Sequence, residues 1–187
     1  MQLLPITTNP KDVSIISFER KSILRYFKQL QTVFEKETKS KELGHFLAEP
    51  IEHDFNHTIA WRTEAEGPIR NMSQLTEEEK QYVAQKVQEY SDLIREIAKR
   101  LKDSQSTILP SIDILKNLLV TRELPEALFL VGNQVVITEW GCAPFGRYDT
   151  DEFRLTKQIT KILPEYVEPI REPEHLEAAD KTASADK

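Results

Sequence analysis

The chain has 187 residues, with 25 Lys and Arg against 31 Asp and Glu and a formal net charge of −6. This length suits one domain with a proper core, alone or with a small appendage; no apolar run approaches the ~18 residues that span a membrane, and the acidic balance argues against general nucleic-acid binding, which runs on phosphate neutralisation. A single cysteine, Cys142, excludes an internal disulfide framework and a cysteine-based zinc site, and 5 glycines leave little material for phosphate-cradling loops.

The N-terminal stretch MQLLPITTNPKD lacks a basic segment followed by an apolar core. No secretory signal is read there, and the cytoplasm is the expected location. Residues 1–9 read as irregular. Asn9 and Pro10 then look like a helix entry, with Asn as N-cap and Pro at the first helical position. Val13, Ile16, Ile23, Phe27, Leu30 and Phe34 recur at spacings of three, four or seven, which predicts one amphipathic helix running to about Glu37. Lys21, Arg25 and Lys28 would form its solvated face.

Residues 40–48 suit a short helix that stops before Pro50. The following EHDFNH places His53 and His57 four apart beside Asp54, but a metal site needs a third ligand and no HExxH spacing is present. No metal or cofactor is expected. HTIAWRT, from His57 to Thr63, alternates at strand period. Glu66, Gly67 and Pro68 mark a turn, and a short returning strand over residues 68–72 supplies a neighbour for a later hairpin.

The longest predicted helix covers residues 76–103. Thr76 and Glu79 fit a capping box, acids crowd the first turn, and Lys99, Arg100 and Lys102 crowd the last, as the helix dipole prefers. Val83, Val87, Tyr90, Ile94, Ile97 and Leu101 form a heptad seam. It serves either an intramolecular pairing, antiparallel to the first helix, or a homodimer through the segment from Val83 to Leu101. A short helix follows within residues 108–120, with Pro110 near its first turn.

ALFLVGNQVVITEWG, from Ala127 to Gly141, reads as two strands joined by Gly132 and Asn133. The pattern is apolar on both faces, so both need cover. Either both faces are core, or the outer one is a protein-binding surface carrying Phe129, Leu130, Val136 and Trp140. One more short helix is predicted over residues 151–163. Residues 165–187 are acidic, proline-containing and poor in large apolar residues, and are expected to form a disordered tail.

No nucleotide-binding, serine-hydrolase or zinc-protease motif is present. Cys142 has no His or Lys near it in sequence. Glu139, with Asp149, Asp151 and Glu152, would make an acidic cluster suited to hydrolysis, or else these are solvated loop residues. The stretch from Trp61 to Gly141 resembles a module seen in uncharacterised bacterial proteins. The shared pattern is a strand and turn, an acidic-to-basic long helix, a short helix, and a hairpin ending in Trp-Gly. In fuller relatives such a module precedes a proline-rich linker and a membrane span. The resemblance implies a bacterial, non-catalytic module working beside a membrane assembly, and it implies no catalytic residue.

The expected fold is therefore α+β: a single domain over residues 1–164, with three or four helices packed on a small antiparallel sheet of three or four strands. The expected function is protein–protein interaction, as an adaptor or scaffold subunit of a bacterial multiprotein system. It would bind through the hairpin's outer face or through leftover apolar surface on the long helix, without entering a membrane or binding nucleic acid. The alternative is a hydrolase using Cys142 or an acidic cluster near Glu139 and Asp149.

Overall fold

The computed structural model describes residues 1–122, 124–146 and 151–163. The chain opens with strand β1 (Gln2–Thr8) and three short strands, β2 (Val13–Ile15), β3 (Ser17–Phe18) and β4 (Lys21–Ser22). Helices α1 (Phe27–Thr38) and α2 (Glu42–Phe46) follow, then strands β5 (Glu49–His53), β6 (Thr58–Thr63) and β7 (Ile69–Asn71). The long helix α3 (Glu77–Asp103) and the short α4 (Asp113–Asn117) lead into β8 (Leu128–Val131) and β9 (Gln134–Ile137). Strand β10 (Cys142–Pro144) and helix α5 (Leu155–Ile162) complete the described chain. The class is α+β, but the strands make several small antiparallel sheets and not one: β1-β6-β5, β7-β8-β9, and the pairs β2–β10 and β3–β4.

The predicted first helix is half wrong. Asn9 does not cap a helix; its carboxamide oxygen accepts from the Lys11 amide at 3.0 Å, which closes a local turn. Glu19 and Arg20 both take positive φ, at 49° and 65°, so no helix passes through them. The helical signal starts instead at Ser22, whose hydroxyl accepts from the Leu24 amide at 3.2 Å and opens a single 3₁₀ turn into α1. Residues 2–8, read as irregular, form β1, an edge strand of the first sheet; Pro5 is tolerated there because an edge strand need not pair every amide.

The long helix forms as its sequence dictates. Thr76 Oγ1 accepts from the Glu79 amide at 3.2 Å while the Glu79 carboxylate accepts from the Thr76 amide at 3.0 Å. All six seam residues from Val83 to Leu101 are buried within the chain, so the stripe offered for a homodimer is occupied internally. Its helical neighbours are α4 and α5. The expected antiparallel pairing with the first helix is not the main contact; α1 packs chiefly on α2 and reaches α3 through the Arg100–Glu37 ion pair at 3.3 Å. Phe46 of α2 and Tyr90 of α3 meet as tilted rings, 4.8 Å between centroids.

The hairpin β8–β9 pairs as its sequence predicts, Val131 opposite Gln134, and β7 adds on the far side of β8. Gly132 has positive φ and Asn133 does not, which matches a turn with Gly first. Gly67, in the turn before β7, lies against Gly132: a Cβ on Gly67 would stand 2.7 Å from the Gly132 Cα. Two turns are thus packed backbone to backbone, which only glycine permits. Gly67→Ala, at φ +120° and with backbone in the way, is expected to cost about 2–3 kcal/mol. Urea unfolding checks this, and a loss under ~0.5 kcal/mol would mean that the turns separate freely.

Glu49 carries a pH-dependent part of the stability. Burial raises its pKa, but hydrogen bonds and charges from Arg62 and Lys28 outweigh that and hold the carboxyl below its ordinary value. A depressed folded pKa means that this contribution is present above the unfolded value of about 4.3 and is lost as pH falls through the folded one. The gap in urea midpoint between the parent and Glu49→Gln should therefore shrink between about pH 5 and pH 3; a constant gap would show that the ion pair contributes nothing.

Candidate functional site

The hairpin leaves no open face. Leu128, Val131, Val135 and Ile137 are buried, and so are the four residues expected to form a binding surface: Phe129, Leu130, Val136 and Trp140 are each at most 3% exposed. They are core residues here: β7 pairs along one edge, and α2 and α3 pack against β9. Phe129 alone reaches a surface depression, shared with Pro5, Met72 and Pro125. Binding through these side chains would require uncovering them first.

Glu139 to Cys142 form a polar knot inside the core. Glu139 adopts φ 53° and turns its carboxylate inward, where Oε1 accepts from Thr8 Oγ1 at 2.8 Å and from Arg122 Nη2 at 3.2 Å. Thr8 Oγ1 in turn accepts from the Trp61 indole at 2.9 Å, and the Trp140 indole donates to the Ala48 carbonyl at 2.9 Å. The Gly141 amide donates to the Val120 carbonyl at 2.6 Å, and its own carbonyl accepts from Ile16 at 2.9 Å. Gly141 is required at φ +71°, since a Cβ there would collide with Ile23.

These contacts satisfy the polar groups and leave them closed to substrate. Cys142 is fully buried, and burial first, then the Glu139 charge, push its thiol well above the ordinary range. A nucleophilic cysteine needs the opposite shift and access. Its Sγ donates weakly to the Trp140 carbonyl at 3.8 Å, and the charges that influence it are Glu139 and Arg122, not a histidine. Asp149 lies outside the described residues. Asp151 is bound by Lys157 and by Arg154, which hold its carboxyl below the usual range. His53 and His57 border a shallow depression at the β5–β6 turn, and among the described residues no group of three or more His, Cys, Asp or Glu is placed to hold a metal ion.

A sizeable apolar recess lies on the C-terminal half of α3. The groove has a volume of about 500 Å³, within the range of binding clefts. Its apolar lining is Ile112, partly exposed, with Ala98 of α3 and Leu119, each 7% exposed, over buried Ile94, Leu115 and Leu155. The floor is firm. The Leu155 amide donates to the Leu119 carbonyl at 2.9 Å, and Gln158, 1% exposed, donates to the carbonyls of Thr121 and Phe153 and accepts from the Leu124 amide. The 119–124 segment and α5 are therefore clamped together and hold the groove wall against α3.

The rim is basic throughout: Arg95, Lys99 and Lys102 on α3, Lys116 on α4, and Arg154 before α5. Arg95, Lys116 and Arg154 each pair with an aspartate three residues away, at 3.3, 3.4 and 3.0 Å. Lys99 and Lys102 make no ion pair among the described residues. A concentrated positive rim around an apolar floor is unusual on a chain of net charge −6. Sequence reasoning assigned Lys99 and Lys102 to the helix dipole alone. The missed signal is their spacing: Arg95, Lys99 and Lys102 repeat at four and three, beside the apolar seam, so they line one edge of it.

Compared with protein-family models, with curated proteins and with solved structures, the chain matches none. Among the described residues no helix is long and apolar enough to cross a membrane.

Removing one partner of the buried knot leaves the others unsatisfied. Glu139→Ala strands Arg122 and Thr8 and should cost about 3 kcal/mol, at the low end for a buried pair because Arg122 is partly exposed. Glu139→Gln keeps an acceptor and should cost less. Unfolding free energies check the order, and equal costs would show that the carboxylate charge is irrelevant.

Proposed function

We propose that the protein is a non-catalytic interaction module, an adaptor or scaffold subunit that docks another protein in the α3–α4–α5 groove. The observation that carries this reading is the groove itself: a recess of about 500 Å³ with a firm apolar floor and a continuous basic rim. Apolar floor with charged rim is the arrangement that gives a protein interface its affinity at the centre and its orientation at the edge. The partner segment is amphipathic and acidic, inserting a few apolar side chains while its carboxylates meet Lys99, Lys102 and Lys116. Leftover apolar surface on the long helix replaces the hairpin as the binding face, since the hairpin is enclosed.

The setting proposed is a bacterial multiprotein assembly in the cytoplasm, near a membrane and not in it. Its support is the resemblance carried by the Trp61–Gly141 stretch, in which a long acidic-to-basic helix leads to a hairpin ending in Trp-Gly. Glu139 and Cys142 are buried and hydrogen-bonded within the core, and this supports a binding role over a chemical one.

Two variants test the groove. Ala98→Trp fills the floor, and Lys99→Glu with Lys102→Glu reverses the rim without touching the core. Proteins captured from the native source by the parent chain would be purified and titrated back by calorimetry. Each variant is expected to weaken binding of the true partner by at least about tenfold, the charge pair more so at low salt. A partner that binds parent and both variants equally does not use the groove, and the docking surface would lie elsewhere.

A further inference from the structure

We propose that the groove of one copy of this chain takes the β5–β6 hairpin tip of the next, so that copies assemble head to tail with Phe55 as the knob. This names a second copy as the occupant, and it rests on the reading of the groove as a docking site for an acidic segment that carries apolar side chains.

The tip projects from the body. Strands β5 and β6 end with His53 opposite Thr58, and the four residues between them form the turn. Residues 52–57 are all exposed, and Phe55 in the turn is 101% exposed, more than any other large apolar side chain among the described residues. An aromatic side chain buries about 150–250 Å² when enclosed, so leaving it in water is costly. The turn itself does not call for it; polar residues such as its neighbours Asp54 and Asn56 serve a turn better.

The groove offers the complement. Its apolar lining is aliphatic throughout, and a volume of about 500 Å³ admits a phenyl ring. Glu52 and Asp54 flank Phe55, exposed and without an ion pair among the described residues. Lys99 and Lys102 stand on the rim in the same condition, so acid meets base around an enclosed ring, and the rim cations favour the ring's face as well. The tip does not line its own groove, and the contact therefore forms between copies. Tip and groove are different surfaces, which makes the contact heterologous: each copy gives its tip to one neighbour and its groove to another. A single knob buries far less than the ~1,600 Å² of a standard interface, so association is weak and needs high concentration.

The test is sedimentation equilibrium of the full chain up to about 1 mM. Salt at about 0.15 M screens the repulsion between copies of net charge −6. The average mass of the parent should climb past that of a dimer. Phe55→Ala with Asp54→Lys spoils the tip, and Lys99→Glu with Lys102→Glu spoils the groove; all four positions are exposed, so both variants should fold, which the emission of the buried tryptophans checks. Each variant should weaken self-association at least about tenfold. The two variants mixed should form one-to-one dimers and stop there, because each such pair holds one intact tip and one intact groove. A parent that stays monomeric overturns the proposal, as does association that survives the tip variant, or a mixture of folded variants that stays monomeric. Any of these failures leaves the partner titration of the previous subsection standing, since a groove that ignores the chain's own tip still binds a foreign segment.

Discussion

Everything in this fold meets at one buried carboxylate. Glu139 stands at positive φ inside the core and ties together β1 through Thr8, the approach to the hairpin through Arg122, and, by way of Thr8, the central strand β6 through Trp61. Burying a charge is costly unless it is paired and hydrogen-bonded, and here it is both. The constraint runs outward from there. Trp140 follows on the chain and fixes Ala48, Gly141 turns into a space where only glycine fits, and β10 is delivered to β2. Small sheets that would each be marginal alone are thereby held as one body.

That arrangement explains why the groove lies where it does. The knot gathers the hairpin, both tryptophans and, through Phe27 against Trp140, α1. The C-terminal half of α3 is then left to two short helices, α4 of 5 residues and α5 of 8. Elements so short cannot cover a helix of 27 residues completely. The seam residues are buried, yet Ala98, small and set between Ile94 and Leu101, leaves a trough above it. The basic rim follows from the same helix, because its dipole favours cations at the end where cover is thinnest.

Local signals in the sequence were legible where neighbours in sequence decide the outcome. The capping box at Thr76, the seam of α3, the Gly132–Asn133 turn and the alternation through Trp61 each form as their residues dictate. The segment before α1 was not, because Val13 and Ile16 sit at helical spacing by coincidence while Glu19 and Arg20 break the path; nothing in residue type announces positive φ at two charged positions. The three-stranded sheet of the hairpin and its returning strand was legible, but the additional small sheets were not. Which strand joins which depends on contacts such as Thr8 with Glu139, 131 positions apart. The groove escaped notice because a recess is a property of what fails to cover a helix, although the spacing of Arg95, Lys99 and Lys102 pointed to its edge. Burial of Phe129, Leu130, Val136 and Trp140 was open in the sequence, which shows two apolar faces and not what lies on them.

The two indoles have a practical consequence. Trp61 and Trp140 are the only tryptophans in the chain, both wholly buried, with ring centroids 6.3 Å apart and edge to face. Intrinsic fluorescence therefore comes from a single spot, the centre of the core. It reports loss of that centre during unfolding as one signal, and near-ultraviolet dichroism from the coupled rings reports it again. A ligand settling above Ala98 touches neither ring. Emission that stays constant while heat is released on titration thus reports binding to a core that has stayed intact.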